Sequence, residues 1–326
     1  MSPSLVDVRV SMTRYGMSTF LVLGVIGNLI NVLMFARRES LRNSCSLYLL
    51  TASVINILSI LWGIIPSLYI LDHTDPSTYS VVYCKLRLYT IHTILMIGRS
   101  LVVVACFDRY ALCSHSTRLR SFCQTKIAVR VSLAHIIIWP LVTIHIPFLQ
   151  QYIQNKCYMP GINDIIYASY STVVAGILPP VLMSMFSILT MRHRRELLTR
   201  LHAAGVNTKR DNAFMAMLLS QVIIYVITTG MYPAMTLYLS IIDGRAKSIS
   251  QQQIETFLNF IAGSFLIYLN PASTFFIYVL AAKAFRRDCK DTFIKQFKRL
   301  IGQRTRIEPR TVHTHNIMCV NQNARV

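Results

Sequence analysis

The stretch that decides the fold is Cys84–Tyr110, CKLRLYTIHTILMIGRSLVVVACFDRY. From Val82 to Phe107 it is apolar and long enough for a helix to cross a bilayer, which takes about 20 such residues. Six further stretches have the same character, at approximately Tyr15–Ala36, Leu47–Leu71, Ala128–Leu149, Ile165–Met191, Ala213–Ile242 and Glu255–Leu280. Composition agrees. The 326 residues are 53% hydrophobic and 14% charged, with a mean hydropathy of +0.47, whereas a soluble domain is about 25% charged. The expected fold is an all-α integral membrane protein, a seven-transmembrane helix bundle. Residues 1–14 read as an N-terminal tail without signal-peptide features, so the first span is expected to direct insertion. Residues 15–281 form the membrane domain, 282–302 an amphipathic surface helix and 303–326 a tail. There is no internal repeat.

Lysine and arginine set the expected orientation. Of 33 such residues, 24 lie after spans one, three, five and seven, and 7 lie on the opposite side. Arg99 falls within span three and Arg109 at its end. The positive-inside rule then places the amino terminus outside and the carboxyl terminus in the cytosol, at the plasma membrane. The net charge of +20 would suggest nucleic acid in a soluble protein; here it is a topology signal, and no nucleic-acid partner is expected.

Of eight cysteines, Cys84 and Cys157 fall on the expected outer side, where disulfides form. They allow one pairing, which would fasten a loop over the mouth of the bundle. Cys45, Cys106, Cys113, Cys123, Cys289 and Cys319 are expected to be free thiols.

Span three ends in Asp108-Arg109-Tyr110. Arg109 lies 25 residues after Cys84, roughly 37 Å along a helix, and so at the inner surface. An acid beside it can hold the guanidinium back until the helices part. Other marked positions are Gly27-Asn28, the run Leu49–Asn56, Trp139, a proline at Pro179 or Pro180, and Pro233.

On these residues the chain resembles the rhodopsin-like (class A) family of G-protein-coupled receptors, along nearly its whole length. The resemblance implies a receptor that binds a ligand from outside and activates a heterotrimeric G protein at Asp108, Arg109 and Tyr110. Asn28, Asn56, Arg99, Trp139, Pro233, Asn270, Pro271 and Tyr278 would form the network inside the bundle. There are departures from the family pattern. Asn56 stands for the usual aspartate, Met231 for a tryptophan, and Asn270-Pro271 falls about one turn early, with Thr274-Phe275 before Tyr278. With Gly98 near Asn56 in depth, a sodium pocket loses its carboxylate and hydroxyl, so signalling is expected not to depend on sodium.

Arg99 is the costliest residue, because a charge in mid-membrane seldom faces lipid. An internal network with Asn56, Gln221 or Asn270 is expected; a ligand or anion contact is the alternative. His92, His135 and His145 are read as neutral, hydrogen-bonded residues of the bundle.

Ile91, where amine receptors of the family carry an aspartate, argues against a biogenic amine, and span seven has no lysine for a retinal Schiff base. The candidate ligand cleft is Ile91, His92, Asp164, Tyr167, Met231, Tyr238, Glu255 and Tyr268. Asp72, Asp75, Asp243, Tyr79 and Tyr158 add acid and aromatic character on the same side. Such groups suit a cationic, aromatic-containing peptide, amidated ones included, and the chain looks like invertebrate neuropeptide receptors. The competing reading is ordinary loop charges and interfacial tyrosines.

Beyond span seven, Phe285, Cys289, Phe293 and Phe297 recur among basic residues, as in a helix lying on membrane lipids. Cys289 is a candidate palmitoylation site. Thr292, Thr305, Thr311 and Thr314 are too sparse for a phosphorylation pattern. No metal-ligand spacing, nucleophile elbow or phosphate loop is present, so no enzyme, metal or cofactor is expected. A seven-helix ligand-binding protein without G-protein coupling remains an alternative, as does a channel or transporter. Missing repeats and midplane carboxylates count against the latter.

Overall fold

A computed structural model describes residues 4–203, 209–242 and 247–300. The expectations for Asp243, Cys319, Thr305, Thr311, Thr314 and the tail at 303–326 lie outside them. Among the described residues, seven helices are long and apolar enough to cross a membrane. They are α1 (Leu5–Phe35), α2 (Ser44–Tyr69), α3 (Val81–Cys113), α4 (Thr125–Leu149), α5 (Ile162–His193), α6 (Asn212–Ile241) and α7 (Ile249–Ala281). A further helix, α8 (Lys283–Leu300), follows. The seven-helix expectation holds.

The first helix begins at Leu5 rather than Tyr15, because residues ahead of the apolar stretch are capped and paired. Ser4 and Asp7 form a reciprocal capping box, which satisfies backbone donors left open at a helix start. Further along, Arg14 pairs with Asp72 at 2.7 Å, so a charged turn extends the helix beyond what hydropathy marks.

The outside of the bundle is apolar. Leu133, Ile137, Leu141 and Phe148 on α4 are exposed, as are Val22, Ile26 and Leu33 on α1, an apolar surface suited to lipid. The interior divides into two apolar clusters. The larger, near Arg109, includes Leu49, Leu101, Ala105, Leu218 and Tyr278. The smaller, toward the disulfide, includes Met17, Ile60, Ile64, Phe260 and Tyr268.

Between α4 and α5, β1 (Gln151–Ile153) pairs antiparallel with β2 (Lys156–Tyr158). Gln154 and Asn155 at its tip both have positive φ, as a tight two-residue hairpin turn requires. Cys157 on β2 is bonded to Cys84 at the start of α3, the expected disulfide. The Tyr152 hydroxyl adds a hydrogen bond to the Thr78 carbonyl, 2.8 Å, which ties the hairpin to the α2–α3 loop.

Two residues set the depth of the α5–α6 contact. At Gly176 a Cβ would stand 2.3 Å from Cγ of Pro233, and a proline ring is too stiff to give way. Gly176→Ala should therefore destabilise the protein by about 1–3 kcal/mol, read as a lower melting temperature of the purified protein; an unchanged melt would show that the helices separate freely there.

Candidate functional site

Midway along the bundle, α5 contains a wide helical turn at Ser171–Ile177, just before Pro179 and Pro180. Neither proline has an N–H. The Ala175 carbonyl therefore has no donor four residues on, nor five on as a wide turn would use. The bundle supplies two donors instead. Arg99 Nη1 donates to this oxygen at 3.4 Å and the Tyr225 hydroxyl at 3.1 Å. Arg99 is buried at 8% exposure, lies 5.7 Å from the centre of the Tyr225 ring and also reaches the Met96 sulfur at 3.9 Å. The expected network is thus corrected in its partners. Asn56, Gln221 and Asn270 do not bond Arg99; they line, with it, a cavity of about 40 Å³.

Asn56 has other bonds. Its amide donates to Asn28 Oδ1 and Thr274 Oγ1, both at 3.3 Å. Asn28 in turn donates to the carbonyls of Gly24 (2.8 Å) and Pro271 (2.9 Å). Thus α1, α2 and α7 are joined by neutral amides, with Thr274 bonding where the usual asparagine would stand. Trp139 Nε1 donates to Ser100 Oγ at 2.8 Å, which joins α4 to α3.

Toward the carboxyl end of α3, Asp108 and Arg109 are both buried. Asp108 Oδ2 accepts from Arg109 Nε at 3.0 Å and from its Nη2. Nη2 also donates to Asn43 Oδ1 (3.4 Å), the cap of α2, and Phe214 of α6 lies 5.7 Å over the guanidinium. Nearby, the Tyr278 hydroxyl donates to Gln221 Oε1 at 2.7 Å, linking α7 to α6. Tyr110 instead stacks on Phe186. The local acid–arginine pair expected from the sequence is present, with α6 closed over it.

At the disulfide end the cleft residues separate into groups. His92 Nδ1 meets the Tyr167 hydroxyl at 3.3 Å, and that hydroxyl meets Tyr232 at 3.1 Å. His92 Nε2 and the Tyr170 hydroxyl are buried without hydrogen-bond partners among the described residues. Glu255 is buried and fully engaged, with Lys247 (2.7 Å), Gln251 (2.9 Å) and Tyr238 (3.2 Å). Asp164 accepts from Ser240. Tyr268 packs against Gly63, where a Cβ would overlap its ring at 2.2 Å. Ile91 packs against the smaller apolar cluster, and Met231 is half-buried beside the break in α6 at Gly230. His135 and His145 hydrogen-bond the Val131 and Val142 carbonyls, as expected.

Three of the acids counted on this side are paired with bases. Asp72 pairs with Arg14, Asp75 with Arg87 and Glu255 with Lys247, so bases on the same face offset each of them. The sequence reading missed Tyr232, Tyr225, Lys247, Asn43, Phe214 and the Ala175 carbonyl. Pro179-Pro180 marks that carbonyl, and Tyr225 and Tyr232, seven apart, share one helix face.

On α8 the apolar stripe divides. Phe293 and Ile294 are exposed, whereas Phe285 and Cys289 are buried in the larger cluster. Burial, reinforced by Asp288, pushes the Cys289 thiol up to about 11, so it is neither presented nor ionised for acyl transfer.

A closed seven-helix bundle with a strapped mouth and a sheltered arginine at the other end defines a membrane receptor. The family model described as serpentine type 7TM GPCR chemoreceptor Srsx matches residues 21–293, and the chain belongs to that family of G-protein-coupled receptors. It is thus a plasma-membrane receptor rather than an enzyme. It is also similar to neuromedin-U receptor 2 of Mus musculus, 25% identical over 285 residues, covering 81% of this chain and 71% of the relative. The Rattus norvegicus receptor of the same name is 24% identical over 288 residues, with 82% and 71% covered.

The burial of Cys289 predicts that metabolic labelling with a palmitate analogue gives the same signal in the wild type and in Cys289→Ser. Label lost in the variant would mean that the thiol leaves the bundle.

Proposed function

We propose that this receptor binds a peptide from outside the cell and activates a heterotrimeric G protein through Arg109. The orientation rests on the 24-to-7 basic asymmetry and on the disulfide, which suits an oxidising exterior. The disulfide end then faces outward, and α8 lies on inner-leaflet lipids with Phe293 and Ile294 against the acyl chains. Residues 1–14 would precede the membrane domain at 15–281, followed by the surface helix at 282–302 and the cytosolic tail at 303–326.

The observation that carries this reading is the buried Asp108–Arg109 pair under Phe214. Moving α6 outward removes that ring and breaks the Tyr278–Gln221 bond, which exposes the guanidinium to a cytosolic partner. Agonist and G protein both favour the open state, so each raises the other's affinity.

A peptide is the favoured ligand class because the similar receptors are named for neuromedin U. His92 Nε2 and the Tyr170 hydroxyl are polar atoms that a ligand could satisfy. The Glu255–Lys247 pair offers a carboxylate whose cation a basic ligand group could replace. The chemoreceptor description of the family favours a second reading, a small chemosensory molecule satisfying the same two atoms. Screening the expressed chain with amidated peptides and with small polar compounds separates the two.

Arg109→Ala should abolish agonist-stimulated nucleotide exchange while surface expression and agonist binding persist; full signalling by the variant would overturn the coupling role. Glu255→Gln should weaken binding of a basic peptide agonist by about 10–100-fold, the loss of a charge-assisted hydrogen bond, while Lys247→Ala should not weaken it. Unchanged affinity in Glu255→Gln would remove that residue from the cleft.

A further inference from the structure

We infer that the cavity beside Arg99 is a binding site for a small monovalent anion of the chloride type. A guanidinium cannot shed its proton in a protein, so Arg99 keeps its charge at 8% exposure. Among the described residues, no carboxylate lies within 4.0 Å of it. Its bonds are to one carbonyl and one thioether, with the Tyr225 ring face 5.7 Å away. Only Nη1 is engaged in these bonds, and an arginine has five N–H donors. An uncompensated charge is the costliest group to bury, so a counter-charge in the adjoining space is strongly favoured.

That space suits an anion in size and in donors. Its volume of about 40 Å³ admits two or three water-sized guests, enough for a halide and too little for a large organic anion. The wall carries Asn56, Arg99, Gln221, Tyr225, Thr229 and Asn270. Gln221 spends its carbonyl oxygen on the Tyr278 hydroxyl. Its NH₂, like the Asn270 side chain, has no hydrogen-bond partner among the described residues. A guanidinium flanked by two uncommitted amides is a donor-rich, carboxylate-free lining that favours an anion over a cation. An ion held there would link α3 to α6 and α7.

The test needs neither agonist nor G protein, so it stands apart from the proposed signalling role. Purified full-length receptor is melted in sodium chloride and in sodium gluconate at constant ionic strength. Chloride should raise the melting temperature saturably, by about 2 °C or more; bromide should substitute, and replacing sodium by N-methylglucamine at fixed chloride should change nothing. Arg99→Gln should abolish the chloride response. Equal melts in chloride and gluconate would mean that the cavity holds water only and would overturn the proposal, as would a full response in Arg99→Gln. Should that variant fail to fold, Gln221→Leu and Asn270→Leu retain the charge and remove a donor each. Each should raise the half-saturating chloride concentration about tenfold, and an unchanged value in both would overturn the assignment.

Discussion

The centre of this receptor is organised by one carbonyl that its own helix cannot satisfy. Pro179 and Pro180 take away both N–H groups that could reach Ala175, and a buried carbonyl left without a donor costs about 1–3 kcal/mol. Arg99 from α3 and Tyr225 from α6 fill that need at 3.4 and 3.1 Å. The defect in α5 thus becomes the point at which three helices meet. It also gives the arginine a reason to lie inside the bundle, where a charge has no other justification in an apolar medium.

Around that point the polar interior is built from neutral groups. Asn28, Asn56, Thr274 and the Pro271 carbonyl join α1, α2 and α7, and the Tyr278–Gln221 bond joins α7 to α6. Neutral hydrogen bonds contribute about 1 kcal/mol each, and a buried ion pair broken on one side costs several. Helices joined this way can exchange partners at modest cost. Among the described residues, the charged pair at the carboxyl end of α3 is Asp108–Arg109, with both partners on one helix.

The disulfide end follows a different rule. Asp72, Asp75 and Glu255 are offset by nearby bases, most completely Glu255, which takes Lys247, Gln251 and Tyr238 at once, while Asp164 accepts from the Ser240 hydroxyl. Such a surface has little long-range attraction for a cation.

The sequence by itself determined seven helices, the Cys84–Cys157 bridge and the Asp108–Arg109 pair. Each follows from short-range information: runs of apolar residues, two cysteines on one side, an acid next to a base. It also marked Arg99 as the anomalous charge, though not its partners. Only the tertiary structure decided that Arg99 meets Ala175 and Tyr225 instead of three amides, that Glu255 is already paired, and that Cys289 faces the bundle. Hydropathy records how much apolar surface a helix has, but rotation about its axis is set by packing against neighbours far away in sequence. That rotation determines which polar groups come within 3.5 Å of one another, and no local pattern encodes it.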